Sequence, residues 1–184
     1  QALANFINVN TPSNIEPKTN LVVVGYDRRF LSDKFAADIA SILKLNKIDV
    51  TLLKNPVTTP MLSCLTDTKF WIGIMVTASH NPPHYNGIKV KMNGGSISYR
   101  LTKEIEEFID QKPVLYIPGH NVEAVDGLEK IYFKYISSKV NMKKVAELKG
   151  KIAVDYMHGS SVGYFEQLLP PARVVALNTN HDPA

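Results

Sequence analysis

The feature that most constrains the fold is a series of short strand-like segments at regular spacing. Leu21, Val22, Val23 and Val24 form a continuous apolar run ending at Gly25, residues 49–53 read as the next strand, and residues 70–76 as a third strong one. A run as short as the first, with no polar alternation, suits a strand covered on both faces, as in a parallel sheet. Between the first two, Phe35, Ile39, Ile42 and Leu43 recur with helical period and form one apolar stripe. Ser32 is placed to cap that helix, and Asp33 in its first turn favours the helix dipole. Thr59-Pro60 opens a short helix, with proline where its missing N–H costs nothing. After a turn at Asn93-Gly94-Gly95, Thr102 is expected to cap a further helix bearing Leu101, Ile105, Phe108 and Ile109. Strand and helix alternating at this spacing predict an α/β fold. The sheet should be mainly parallel (mixed) and sandwiched by helices.

Residues 10–20 read as a polar, proline-bearing loop. The rhythm breaks over residues 111–126, where Pro113, Pro118 and Gly119 cluster. Helices follow through Leu128, Ile131, Tyr135 and Ile136, and over residues 143–148. The α/β order then restarts with a strand over 151–155, a helix over 159–169 and a strand over 173–177. Two units are therefore expected, residues 1–120 and residues 121–184, joined by a linker near 115–125. The opening, Gln1-Ala2-Leu3-Ala4-Asn5-Phe6-Ile7, reads as the tail of an amphipathic helix. The chain stops just after a strand-like run, so both units are expected to be cut short, in a fragment of a longer protein.

Composition narrows the function classes. With 45% hydrophobic and 21% charged residues the chain has ample material for a core, and disorder is not expected. No apolar run approaches the roughly 20 residues that span a bilayer. The one cysteine, Cys64, reads as a small core residue and fits a cytoplasmic setting. The net charge of +4 suits an anionic partner. The lysines are scattered rather than gathered on one face, so a small anionic substrate accounts for the sign and no nucleic acid is expected.

The chemistry gathers between the third strand and the alternating segment Ile88-Lys89-Val90-Lys91-Met92. There Thr77-Ala78-Ser79-His80-Asn81-Pro82-Pro83-His84-Tyr85-Asn86-Gly87 joins two strands. Such a stiff, polar connection on a rigid scaffold is a common way to present reactive groups. The Gly-x-Ser-x-Gly elbow of serine hydrolases is not met. On the residues alone, Ser79 serves equally well as a turn residue or as a nucleophile. His80 and His84 lack a third ligand for zinc. His84 reads as a surface loop residue, and His80 as an acid/base candidate. An antiparallel return would bring the Lys89 ammonium beside Ser79, where it could screen phosphate charge or act as a base. Lys91 reads as part of a solvated strand face. Asn86-Gly87 reads as a turn pair in which Gly87 takes positive φ.

Thr77-Ala78-Ser79-His80-Asn81-Pro82, followed by Tyr85-Asn86-Gly87-Ile88-Lys89, closely resembles the phosphoserine loop of the α-D-phosphohexomutases, the phosphoglucomutase/phosphomannomutase family. Val24-Gly25-Tyr26-Asp27-x-Arg29 with Ser32, Thr59-Pro60, and Lys151-Ile152-Ala153-Val154-Asp155 with Gly159 extend the resemblance along nearly the whole chain. It implies the family's domain I followed by the start of a similar domain II. It also implies reversible phosphate transfer between the 1- and 6-positions of a hexose phosphate, through a phosphoserine and a bisphosphorylated sugar. Ser79 matches the phosphate carrier, Lys89 a general acid/base, His80 a residue contacting or protonating substrate, and Arg29 an arginine of the same cleft that binds substrate. Mg²⁺ is implied through the Ser79 phosphate, and a hexose 1,6-bisphosphate as activator. The family's Asp-Gly-Asp-x-Asp-Arg metal loop does not occur in this sequence, so the chain by itself is expected to be inactive. The rival reading is a non-catalytic α/β module that binds an anionic ligand or nucleic acid. The hexose is left open among glucose, mannose, glucosamine and N-acetylglucosamine, as is the oligomeric state.

Overall fold

The computed structural model describes residues 1–11 and 21–182, so most of the loop predicted over residues 10–20 lies outside the described residues. The chain runs α1 (Ala2–Asn10), β1 (Val22–Tyr26), α2 (Ser32–Leu45), β2 (Val50–Leu53), α3 (Thr59–Thr68) and β3 (Ile72–Val76). It continues through β4 (Ile88–Met92), β5 (Gly95–Ser96), α4 (Tyr99–Glu106), β6 (Ala124–Val125), α5 (Glu129–Lys139) and α6 (Met142–Glu147). Last come β7 (Ile152–Asp155), α7 (Tyr164–Leu168) and β8 (Val174–Leu177).

The first sheet has the order β5-β4-β3-β1-β2-β6. Strands β3, β1, β2 and β6 are parallel, and β4 and β5 return antiparallel at one edge. Strands β1 and β3 lack alternation because both faces are covered. Val22, Val24, Leu52, Ile72 and Ile74 pack into one core with α1 and α2. Val23, Leu53 and Met75 pack into a second core with Met61, Leu62 and Leu65 of α3, on the opposite face. Helix α3 begins as expected, with Pro60 in its first turn, and the Thr58 side chain accepts from the Met61 N–H. Gly25 admits the close approach of that layer, since a Cβ there would lie 2.8 Å from Val57 Cγ2.

Several local expectations are corrected. Ser32 does not cap α2. Leu31 stands at the N-cap with φ 61°, and the buried Ser32 hydroxyl instead donates to Asp27 Oδ1 at 2.8 Å. The face of α2 that meets the sheet carries Ala36, Ala40 and Leu43, the two alanines bringing the helix close, with Ile39 half-buried beside them, while Phe35 is exposed. Helix α4 is capped by Ser98, which accepts from the Leu101 N–H at 3.2 Å, and Thr102 lies within it. Residues 124–125, expected to open the second unit, add β6 to the first sheet beside β2. Leu128, Ile131 and Tyr132, at the start of α5 and just before it, pack against the second core of that sheet.

The second unit is a parallel pair, β7 with β8, in the register Ile152↔Val174 to Asp155↔Leu177. No residue of either strand is fully buried, and Tyr156 is the only buried hydrophobic residue beyond Ala78 among the described residues. Among the described residues no helix is long and apolar enough to cross a membrane.

Lys91 overturns the solvated-face reading. It is 7% exposed, opposite Gly73 on β3, and its Nζ donates to Ser96 Oγ at 2.8 Å. Burial, and then the neighbouring Lys89 charge, hold its pKa below the usual lysine value. A lowered folded pKa means that protonation favours the unfolded chain. The charge therefore costs stability at neutral pH, and the cost fades as pH rises through the folded pKa to the unfolded one. Lys91→Met is accordingly expected to raise the Tm near neutral pH, with the gain over wild type narrowing as the pH approaches the usual lysine range. A gain that stayed constant with pH would show that the penalty is not ionic.

Candidate active site

Strands β1 and β3 run parallel and in register, Tyr26 opposite Val76, so the segments that follow them leave from one sheet edge. Ligand sites of open α/β sheets form at this carboxyl edge. Beyond β3, Thr77 and Ala78 are still buried, and the chain emerges into solvent at Ser79. Ser79 has φ 54°, in the left-handed region where a residue with a Cβ is uncommon. Its N–H donates to Thr77 Oγ1 at 2.9 Å, which fixes this bend. Asn81 N–H closes a turn onto Ala78 O, and Tyr85 N–H closes another onto Pro82 O.

The return strand has the antiparallel register that the sequence suggested, with Lys89 opposite Met75 and Ile88 opposite Val76. Lys89 Nζ donates to Ser79 Oγ at 2.5 Å. Gly87 departs from its expected role, being absent from the residues with positive φ. It serves by close approach: its carbonyl accepts from Thr77 N–H at 2.9 Å, and a Cβ on it would lie 3.3 Å from Thr77 O. Positive φ falls on the serine instead of the glycine.

Arg29, expected to bind substrate, has its guanidinium turned into the loop. Nη2 donates to Ser79 O at 2.7 Å and Asn81 O at 2.6 Å, and Nη1 to Pro82 O at 2.9 Å and Tyr85 O at 3.2 Å. Asp27 holds the arginine from behind through an ion pair of 3.4 Å to Nε, and its Oδ1 also accepts the Arg29 N–H. Asn86 Nδ2 donates to Ser32 Oγ at 2.9 Å, tying the far end of the loop to the same corner. Asp27, Ser32, Asn86 and Thr77 were not singled out as site residues in the sequence. The Asp27-x-Arg29 spacing directly after a strand was the available signal for the first.

His80 is exposed and lines a small hollow of about 410 Å³ with Ser79, Asn81 and Lys89. His84 packs against Tyr85 at a tilt of 40°, with ring centroids 4.5 Å apart, and stands apart from that hollow. A second hollow of about 390 Å³ separates Ser79 and Arg29 from His158, Gly159 and Ser160 of the second unit. The sequence places a helix over residues 159–169 and gives no sign that the loop following β7 lies opposite Ser79. The structure forms that helix only from Tyr164.

The donor set does not suit Mg²⁺. Among the described residues no group of three or more His, Cys, Asp or Glu side chains could hold a metal ion. Asp27, which shares the cleft with Ser79, is already engaged by Arg29 and Ser32. A phosphate on Ser79 would add one oxygen ligand where Mg²⁺ prefers a near-octahedral set.

The chain is similar to proteins of one family. Residues 1–114 match the family model described as phosphoglucomutase/phosphomannomutase, alpha/beta/alpha domain I. The chain belongs to that family. It is 33% identical over 161 residues to a phosphoglucomutase of Staphylococcus saprophyticus, covering 80% of this chain and 29% of the relative. It is 34% identical over 167 residues to a phosphoglucosamine mutase of Methanococcus vannielii, covering 87% of this chain and 36% of the relative. A Thermus thermophilus crystal structure, described provisionally as a phosphomannomutase, superposes with a TM-score of 0.84 at 29% identity. That match covers 99% of this chain and 41% of the other. The chain thus spans about a third of the length of the curated relatives it matches.

The backbone at Ser79 supplies a stability test. Ser79→Gly and Ser79→Ala both remove the hydroxyl, but only alanine keeps a Cβ in the left-handed conformation. The glycine variant is expected to be the more stable by about 1 kcal/mol in urea unfolding. Equal midpoints would mean that the conformation costs nothing.

Proposed function

We propose that this chain carries the phosphoryl-transferring loop of a phosphohexomutase that interconverts hexose 1-phosphate and hexose 6-phosphate. The observation that carries the reading is the exposed Ser79 hydroxyl held at 2.5 Å by Lys89 on a loop fixed by Arg29. Ser79 Oγ attacks phosphorus of a bisphosphorylated hexose. The Oγ–P bond forms as the bond between phosphorus and the sugar oxygen breaks, and the hydroxyl proton ends on that departing oxygen. The phosphoserine then passes its group to the other hydroxyl of a hexose monophosphate, and the proton returns.

Lys89 is the acid/base for these proton movements and screens charge at the phosphorus, where positioned cations contribute most in phosphoryl transfer. His80, exposed and lining the hollow, contacts the sugar phosphate. Arg29 acts by holding the loop carbonyls. The small anionic substrate, in place of nucleic acid, accords with the scattered positive charge and with a cytoplasmic setting. A hexose 1,6-bisphosphate serves as activator by loading Ser79. Mg²⁺ through the Ser79 phosphate belongs to the family reading. The residues here do not complete its shell, so no step above passes through it, and the chain alone is held to be inactive in turnover. A division into residues 1–120 and 121–184 accords with the end of the family match at residue 114. It must also accommodate β6 and α5, which pack on the first unit.

Incubation of the full-length protein with glucose 1,6-bisphosphate and Mg²⁺, followed by mass spectrometry, tests this directly. Phosphate is expected on Ser79 and on no residue of Ser79→Ala, and Lys89→Met is expected to slow loading by about a hundredfold. An unmodified Ser79 would sink the mutase reading. Measurable mutase turnover by the 184-residue chain would overturn its inactivity alone.

A further inference from the structure

Arg28 and Arg29 are sequence neighbours that serve different bodies. Arg29 faces the Ser79 loop, whereas Arg28 faces the second unit. The Arg28 N–H donates to Ser160 Oγ at 3.2 Å. Its Nη1 donates to Thr179 O at 3.0 Å and Asn180 O at 3.2 Å, with His158 O at 3.5 Å. Its carbonyl lies 2.9 Å from His181 Nε2, a hydrogen bond when that nitrogen carries the proton. All these partners sit on the two segments that follow β7 and β8.

Those segments are already knit together. His158 N–H donates to Asn178 O at 2.9 Å, and His158 Nδ1 lies 3.1 Å from Asn180 O. Met157 and His158 both have positive φ, 49° and 58°. Arg28 therefore grips a shaped edge and sets it across the 390 Å³ cleft from Ser79.

The segment that bears Arg28 has little freedom to absorb a displacement. Asp27 N–H donates to Val76 O at 3.1 Å, at the end of the strand that leads into Ser79. Asp27 Oδ1 accepts from both the Arg29 N–H and the Ser32 hydroxyl. One peptide unit separates a side chain bonded to the second unit from one bonded to four loop carbonyls. A shift of residues 156–160 or 178–182 pulls on Arg28, and the clamped corner passes the shift to Arg29 and the loop.

We propose that Arg28 is a positioning residue that couples the placement of the second unit to the geometry of the Ser79 loop, so that cleft and phosphate carrier are set together. This rests on the mutase reading for its purpose but not for its test. Arg28 touches no loop atom in the contacts above, so any effect of its removal on the loop has to be transmitted.

Amide hydrogen exchange on the whole chain decides it. Arg28→Ala is expected to speed exchange in residues 156–160 and 178–182, and also in residues 79–85 by on the order of tenfold, with β1 and β3 unchanged. Acceleration confined to the second unit would overturn the proposal and leave Arg28 as a tie between units. If Arg28→Ala loosens β1 and β3 as well, Ser160→Ala, which removes only one acceptor, carries the test. It is expected to give the same pattern more weakly, and an unchanged loop there overturns the coupling. Coupling also requires, in the full-length protein, a lower maximal rate of Ser79 loading by glucose 1,6-bisphosphate in Arg28→Ala. A change in half-saturation alone would speak against it. Should wild-type Ser79 take no phosphate, the mutase reading falls while the exchange result still decides the coupling.

Discussion

The interaction on which the site depends is the set of hydrogen bonds from Arg29 to the carbonyls of Ser79, Asn81, Pro82 and Tyr85. A loop that leaves a sheet edge loses the ladder that would satisfy its backbone, and two adjacent prolines remove donors as well. Without a compensating donor those carbonyls would turn to water and the loop would have no preferred shape. A guanidinium suits the task because its fork of rigid donors can serve several acceptors at once, where an ammonium presents a point charge. Asp27 then fixes the guanidinium in orientation, at 3.4 Å from Nε. The loop is thus held from outside, by the segment following β1, and this shapes everything that follows.

The parallel register of β1 and β3 makes this possible. Because Tyr26 stands opposite Val76, the chain leaves both strands at the same level, and an arginine three residues on can reach the loop. The antiparallel β4 supplies the other half. A strand that returns from the loop brings Lys89 back to the serine, since Ile88 pairs with the last residue of β3. Serine and lysine are ten positions apart in sequence and one hydrogen bond apart in space. A helical crossover in place of that short return would carry the lysine to another part of the sheet.

Much of this architecture was legible in the sequence. The uninterrupted valines at 22–24 announced a strand buried on both faces, and the loop residues announced an antiparallel return with Lys89 at its start. What escaped follows from how the information is encoded. Strands β5 and β6 have two residues each, too few for periodicity to register. On α2 the stripe Phe35, Ile39, Ile42 and Leu43 suggests the buried face; Leu43 and, in part, Ile39 pack there, but Phe35 is exposed and Ala36 and Ala40 meet the sheet. Lys91 read as solvated because the missing side chain of Gly73, which makes room for it, lies on another strand. Arg28 read only as one of a basic pair, because its main partners lie 130 to 152 residues away. Long-range polar contacts leave no local pattern to read.

The placement of positive φ shows where chemistry overrides local preference. With Asn86-Gly87 in the same loop, turn propensity alone would put the left-handed residue at glycine. The structure puts it at Ser79, φ 54°, and uses Gly87 for close approach to the Thr77 carbonyl. Local rules are most often broken at functional positions, where surrounding contacts hold an otherwise unfavoured conformation. Here the holding contacts are identifiable: Thr77 Oγ1 accepts the Ser79 N–H, Arg29 Nη2 donates to the Ser79 carbonyl, and Lys89 Nζ donates to the side chain. Backbone donor, backbone acceptor and hydroxyl are each engaged by a different element. A residue serving only to turn the chain would need none of the third contact, and this argues that the hydroxyl itself is what the loop is built to present.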